Sequence, residues 1–234
     1  MNGKIVPSKN LSSVVGELGK GKIVNTVDTD AKLYIMVVFT YYYGDNTMKG
    51  NETEVIRMLI EKQGEDISIH SLSKALKKDY KTTYGIVKRL EALALVQLKP
   101  IGKSLIIALK IRAHPLIIEA EYERRRALGE KFEVLLQDLE GIPACFIALL
   151  FGSYAKGIQT RHSDIDLLII SEDDTLMNRA LKISPLPLHI TSITPSEFIS
   201  MLKSKEFTVG SEVVKKNIVL VGVEDYYRLR AHAA

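Results

Sequence analysis

The chain of 234 residues has little of what marks secreted or membrane proteins. It holds one cysteine, Cys145, so no disulfide can form within it. No apolar run reaches the roughly 18 to 20 residues that a helix needs to cross a bilayer. The N-terminus lacks the charged, then apolar, then small-residue layout of a signal peptide. These absences predict a cytoplasmic protein without a membrane partner.

The composition that remains is ordinary for a folded protein, with 46% hydrophobic and 26% charged residues. The net charge of +4 is too small to predict a nucleic-acid partner by itself, but it is unevenly distributed. Residues 1–110 carry 17 Lys and Arg against 11 Asp and Glu, whereas residues 111–234 carry 15 against 17. The basic residues concentrate between 74 and 110, and such a local positive field favours duplex nucleic acid.

The first 49 residues form an N-terminal extension to which the sequence assigns no fold. Only Leu33 to Tyr43 has the composition of a strand. The run Tyr41 to Tyr43 is interpreted as a half-buried strand end, with a stacking platform for bases as the weaker alternative.

Helical periodicity begins at Asn51, which with Glu54 predicts a capping box. A second helix is predicted after Ser68 and a third from about Thr82 to Leu93. Two β-type runs follow, Leu95 to Leu98 and Leu105 to Ile111, joined by a predicted loop over residues 99–104. This order predicts a winged helix-turn-helix domain over residues 50–112.

The third predicted helix has one apolar and one cationic side. A solvated lysine face and a DNA-contacting face both fit this pattern, and the lysines of the predicted hairpin loop favour DNA. The predicted DNA-contacting residues are Lys81, Tyr84, Lys88, Arg89, Lys99 and Lys103.

A connector helix is predicted next, over residues 113–140, with mixed charges on exposed faces. Pairs spaced i,i+4, such as Glu121 with Arg125, account for these charges without a functional role.

The candidate catalytic residues begin where the strand-like run Ala144 to Phe151 is followed by Gly152 and Ser153. Further on, Asp164 and Asp166 open a second apolar run, and alternation places both carboxylates on one face, with Cα atoms ~6.6 Å apart. Mg2+ prefers such oxygen ligands and is usually completed by substrate phosphates. Ser153 adds a hydroxyl and backbone N–H groups suited to a phosphate.

This arrangement resembles the signature of the DNA polymerase beta-like nucleotidyltransferase superfamily, specifically its minimal nucleotidyltransferases, over about residues 144–171. The resemblance implies a small mixed sheet with helices over residues 141–234. It also implies transfer of a nucleoside monophosphate from an NTP, expected to be ATP, to a hydroxyl, with two Mg2+ ions at the carboxylates. Gly152 and Ser153 would hold the β- and γ-phosphates, and Asp164 and Asp166 would ligate the metals. Lys156 would either neutralise phosphate charge or be an exposed lysine in the turn.

The sequence departs from the family at the third carboxylate, which is expected on the next core strand. His189 stands about there, and Glu197 follows at a predicted helix start, where a capping role is favoured. The acids 172–174 are assigned to a loop and helix cap.

The sequence therefore predicts an α+β chain with two competing functions. One is a DNA-binding, magnesium-dependent nucleotidyltransferase whose acceptor is a hydroxyl, for instance on a protein. The other is a catalytically degenerate, nucleotide- or partner-sensing transcriptional regulator resembling an antitoxin. The family resemblance also implies a small helical toxin as a partner, which the protein would modify or neutralise. A homodimer is also compatible, and a third interpretation makes the winged helix a dimerisation module only.

Overall fold

Three helices and a hairpin begin the part of the chain that the structure describes. The structure is a computed structural model that describes residues 50–102, 104–172, 186–203 and 213–233. The expectations for residues 1–49, Lys103, Asp173 and Asp174 lie outside these ranges. The elements are α1 (Asn51–Glu61), α2 (Ile69–Ala75), α3 (Tyr80–Ala92), β1 (Val96–Ile101) and β2 (Ser104–Leu109).

This order confirms the winged-helix arrangement. Strands β1 and β2 pair antiparallel, and an isolated bridge joins Ser68 to Ile106, which ties the hairpin to the start of α2. The apolar side of α3 is buried, with Thr83, Ile86, Val87 and Leu90 at 1% exposure or less.

The helix α1 begins at Asn51 as predicted, but the capping box of Asn51 with Glu54 is wrong. Gly50 is the N-cap and has no side chain with which to cap the helix, Asn51 lies within the helix, and Glu54 pairs with Lys78 Nζ at 3.0 Å. The helix α3 begins two residues before the predicted Thr82, because the Asp79 carboxylate accepts a hydrogen bond of 2.8 Å from the Thr82 N–H.

The predicted hairpin loop is also wrong, since the strands continue through most of it. Lys99 stands opposite Ile106 within the ladder, the pairing continues to Ile101 and Ser104, and Gly102 has φ +58°. Pro100 is tolerated in β1 because each strand of a two-stranded sheet has one unpaired edge.

The prediction of a single connector helix is also wrong. The segment forms α4 (Pro115–Arg126), a 3-10 turn (Glu130–Phe132) and α5 (Glu133–Glu140). Gly129 interrupts it with φ +79°, a left-handed conformation that no continuous helix contains.

The charges of α4 are not all solvated either. Glu121 is 1% exposed and bonds to Arg124 Nη1 at 2.6 Å, whereas Arg125 pairs with Glu140. The expected Glu121–Arg125 pair is therefore wrong. The Tyr227 hydroxyl donates to the second Glu121 oxygen at 2.7 Å, and its burial, followed by the Glu121 charge, raises the pKa of Tyr227 well above its usual value.

The C-terminal part is a mixed sheet with helices, as predicted. Its strands are β3 (Ile147–Phe151), β4 (Ile165–Ile170), β5 (Leu188–Ile193) and β6 (Ile218–Val221), in the order β5-β4-β3-β6. β4 and β5 are parallel and the other pairs antiparallel. The helices are α6 (Gly152–Lys156), α7 (Pro195–Lys203) and α8 (Val223–Ala233).

The core of this sheet includes the segment before it. Phe132, Leu135 and Leu139 pack with buried residues of β3 and β4 in one apolar cluster. Arg124 and Arg125 of α4 donate to the carbonyl oxygens of Asn217 and Leu220, so α4 lies against the β6 side of the sheet. None of the helices in the described ranges has the length and apolar content of a membrane span.

Candidate active site

The pairing of β3 with β4 brings the two halves of the predicted site together. Phe151 stands opposite Asp166 in the antiparallel register, so the residue after Phe151 begins the turn directly beside that carboxylate. Gly152 makes this turn with φ +69° and is the first residue of α6. The predicted coupling between the Gly-Ser turn and the acidic strand is therefore a direct contact.

The space at Gly152 admits no side chain. A Cβ atom there would lie 2.0 Å from Asp166 Oδ2 and 2.9 Å from its Cγ. Glycine is thus required both by the backbone conformation and by the carboxylate that lies against it.

We expect Gly152→Ala to displace the Asp166 carboxylate and to weaken any ligand binding that depends on it. Gly157→Ala is the matched control, because Gly157 has φ +70° and a Cβ there would meet nothing within 4 Å. Both substitutions carry a left-handed backbone cost of ~1–2 kcal/mol. Thermal unfolding together with titration of magnesium and ATP checks this, and equal effects of the two substitutions would contradict it.

The two acids differ in exposure. Asp164 is exposed directly before β4, and the side chain of Asp166 is 27% exposed, while Ile165 between them is fully buried. The buried Ile165 confirms the alternation that sets both acids on the face away from the core at this point.

His189 lies beside Asp166, as its position on the next strand suggested. The parallel register of β4 and β5 sets the two residues opposite each other, and His189 Nδ1 is 3.1 Å from Asp166 Oδ1. Within the described ranges, no group of three or more His, Cys, Asp or Glu side chains could hold a metal ion. Asp166 and His189 are thus in contact, and Asp164 precedes Asp166 by two residues at the start of β4.

Glu197 has a structural role in helix capping. Its carboxylate accepts from the Thr194 N–H at 2.7 Å and from the Thr194 hydroxyl at 2.9 Å, while the Glu197 N–H donates to Thr194 Oγ1. These hydrogen bonds, the backbone one first, lower the pKa of Glu197. Glu197 thus caps α7, as the sequence favoured.

The remaining residues predicted to contact nucleotide lie on α6. Ser153 is half-buried in its first turn, and Lys156 is exposed in its last turn. Tyr154 between them packs edge-on against Phe132 at 5.5 Å, and Lys131 lies over its ring. This packing attaches α6 to the apolar cluster beneath the sheet.

Some of the predicted DNA-contacting side chains are exposed, and two others form ion pairs with carboxylates of the protein. Lys81 and Tyr84 are exposed on α3, and Lys99 is exposed on β1. Lys88 pairs with Glu91, whose hydrogen bond and charge raise the pKa of Lys88. Arg89 is bound by the buried Glu52, whose Oε1 lies 2.7 Å from Arg89 Nε and 2.6 Å from Nη2.

The sequence analysis did not identify two relevant residues, Tyr80 and Glu52. Tyr80 was placed outside the third helix, although Asp79 followed by Thr82 three residues later is an N-cap signal that would have included it. Glu52 gave no signal, because its partner Arg89 is 37 residues away.

Comparison with known proteins gives a family match for the C-terminal part of the chain. The family described as polymerase beta nucleotidyltransferase matches residues 130–225. A search of curated proteins finds no significant match.

Solved structures that resemble the chain include three transcription regulators. MepR of Staphylococcus aureus is 14% identical, covers 48% of this chain and 94% of its own, and has a TM-score of 0.32. The adhesin competence repressor AdcR of Streptococcus pyogenes is 17% identical over 46% and 81%, with a TM-score of 0.31. A MarR-family regulator from Rhodococcus is 17% identical over 57% and 91%, also with a TM-score of 0.31.

The winged-helix assignment itself is based on the order and pairing of α1 to β2. The mixed sheet, the contact of Gly152 with Asp166 and the family match agree on the C-terminal part. Residues 130–225 are a nucleotidyltransferase domain of the polymerase beta family, joined in one chain to an N-terminal winged helix.

Proposed function

We propose that the C-terminal domain binds a nucleoside triphosphate, with ATP as the expected one, together with Mg2+, and transfers the nucleoside monophosphate to a hydroxyl acceptor, with pyrophosphate as the leaving group. The observation that carries this proposal is the pair of acids at the start of β4, with Asp166 in direct contact with the Gly152 turn. The family match supports it.

The residues present fit a magnesium ion by the chemistry of their donors. Asp164 and Asp166 would hold it, because carboxylate oxygens are the ligands that Mg2+ prefers. When bound, the metal lowers the pKa of an attacking hydroxyl and stabilises charge on the phosphates. Ser153 would bind phosphate oxygens through its hydroxyl and N–H, and exposed Lys156 would offset part of their charge.

A second candidate is a nucleotide-sensing regulator without transferase activity. The contact between His189 and Asp166 favours it, because an imidazole stands where the family is expected to supply a third acid. A neutral imidazole adds no negative charge toward a second Mg2+. The nucleotide would then bind without being consumed, and a partner protein or DNA would read the bound state.

Transfer of α-phosphate-labelled AMP to an added protein or to the chain itself distinguishes the two candidates. We expect slow transfer by the unmodified protein and at least about a tenfold increase in His189→Asp, well within what metal-ion catalysis supplies. His189→Asn is the control, since it changes size without adding charge. Rapid transfer by the unmodified protein that is lost in Asp166→Asn would show that two acids suffice, and no transfer by any of these proteins would favour the sensor.

We further propose that the winged helix binds duplex DNA through the exposed side of α3. Lys81→Ala is expected to make the negative slope of log K against log salt shallower by about 0.9, the effect of one lost phosphate contact. Lys88→Ala is expected to have a smaller effect, because Glu91 already pairs with this lysine. Fluorescence anisotropy across a salt series measures both slopes, and binding that does not respond to salt would contradict the proposal.

A further inference from the structure

The exposed side of α3 carries two stacked tyrosines. Tyr80 is 51% exposed and Tyr84 is 39% exposed, and both are among the few large apolar side chains that the described ranges leave so open. Their ring centroids are 6.2 Å apart with 21° between the planes. The two rings form one exposed aromatic pair at the N-terminal half of the helix.

Of the three cations of the same helix, Lys88 and Arg89 pair with carboxylates, while Lys81 is exposed. Arg89 is the only arginine of α3, and Glu52 binds it through Nε and Nη2, which uses one whole edge of its guanidinium. Lys88 pairs with Glu91. Guanine is most often read by a bidentate arginine or lysine. The ion pair of Arg89 with Glu52 therefore disfavours the arginine form of that contact on α3.

The position of the tyrosines suits a different contact with DNA. The N-terminal residues of a recognition helix are those that contact base edges in the major groove. Thymine is distinguished there by its C5-methyl group, which apolar side chains contact. Lys81, exposed between the two tyrosines in sequence, supplies charge toward a phosphate.

We infer that Tyr80 and Tyr84 are the specificity-determining residues of the winged helix and that they read thymine through its methyl group. This inference rests on the proposed DNA binding and adds to it the kind of base that is recognised. Tyr80 and Tyr84 select the sequence, and Lys81 contributes affinity without selecting it.

The test begins by selecting a preferred duplex from a randomised pool with the full-length protein. Replacing each thymine of that duplex by deoxyuridine removes only the methyl group. Affinity should fall about fourfold for each methyl that the tyrosines contact, the effect of one buried methylene-sized group. The Tyr80→Phe/Tyr84→Phe variant should keep this discrimination, because the rings remain.

The Tyr80→Ala/Tyr84→Ala variant should bind the thymine and deoxyuridine duplexes equally, with its salt slope unchanged. Lys81→Ala is the matched control. It should reduce the affinity for both duplexes by the same factor and make the negative slope of log K against log salt shallower. Equal binding of both duplexes by the unmodified protein, or retained discrimination in the double alanine variant, would overturn the inference while leaving DNA binding intact. Absence of any duplex binding would instead overturn the proposed DNA-binding function, and the inference with it.

Discussion

The Asp164→Asn/Asp166→Asn variant is expected to lose magnesium-dependent ATP binding, with affinity reduced at least about 100-fold. Changes to groups that only support a metal ligand already cost about 10- to 100-fold in metal affinity, and here both proposed ligands are neutralised. Isothermal titration with ATP, with and without magnesium, measures the loss. Glu172→Gln is a suitable control, because it removes an exposed carboxylate just beyond the opposite end of β4.

The same variant is expected to stay folded. Asp164 is exposed and the Asp166 side chain is 27% exposed, so neither amide would be buried without water. Removing two like charges from one face also relieves their repulsion when no metal is bound. Unchanged ATP affinity in a folded double variant would contradict the site, whereas loss of the fold would show that the acids have a structural role.

Arg124→Met is expected to reduce the free energy of unfolding by about 3–5 kcal/mol, the usual cost of removing one partner from a buried ion pair. Glu121 would then keep a carboxylate that is 1% exposed without its cation, and the Asn217 carbonyl would lose its donor. Chemical denaturation of the full chain, followed by circular dichroism, measures the difference.

The same helix offers a control for this effect. Arg126 has a side chain 58% exposed and pairs with Glu119, so Arg126→Met should cost at most about 1 kcal/mol. Glu121→Gln/Arg124→Met should recover part of the loss, because no charge remains buried and the new amide oxygen can still accept from the Tyr227 hydroxyl. Equal destabilisation by Arg124→Met and Arg126→Met would contradict the assigned role of the buried pair.

Local patterns in the sequence were enough to find the elements that carry the candidate site. Apolar runs of strand length predicted β3 and β4, and the period of 3.6 residues predicted α1 to α3, because each pattern depends only on neighbours along the chain. The Gly152 turn and the two acids were recognised for the same reason. Sequence reasoning failed where two neighbouring residues could both be the N-cap. Asn51 is a good capping residue, yet Gly50 takes that position.

The sequence alone therefore determined the fold class and the position of the acidic pair, since both follow from periodicity and spacing. Only the tertiary structure decided which charged groups remain available. Arg89 is held by Glu52, and Arg124 bonds to the Asn217 carbonyl 93 residues away. His189 faces Asp166 because β5 pairs with β4 in one particular register. A helix or strand pattern states which side of an element is polar, but the partner of a polar group depends on how the elements pack.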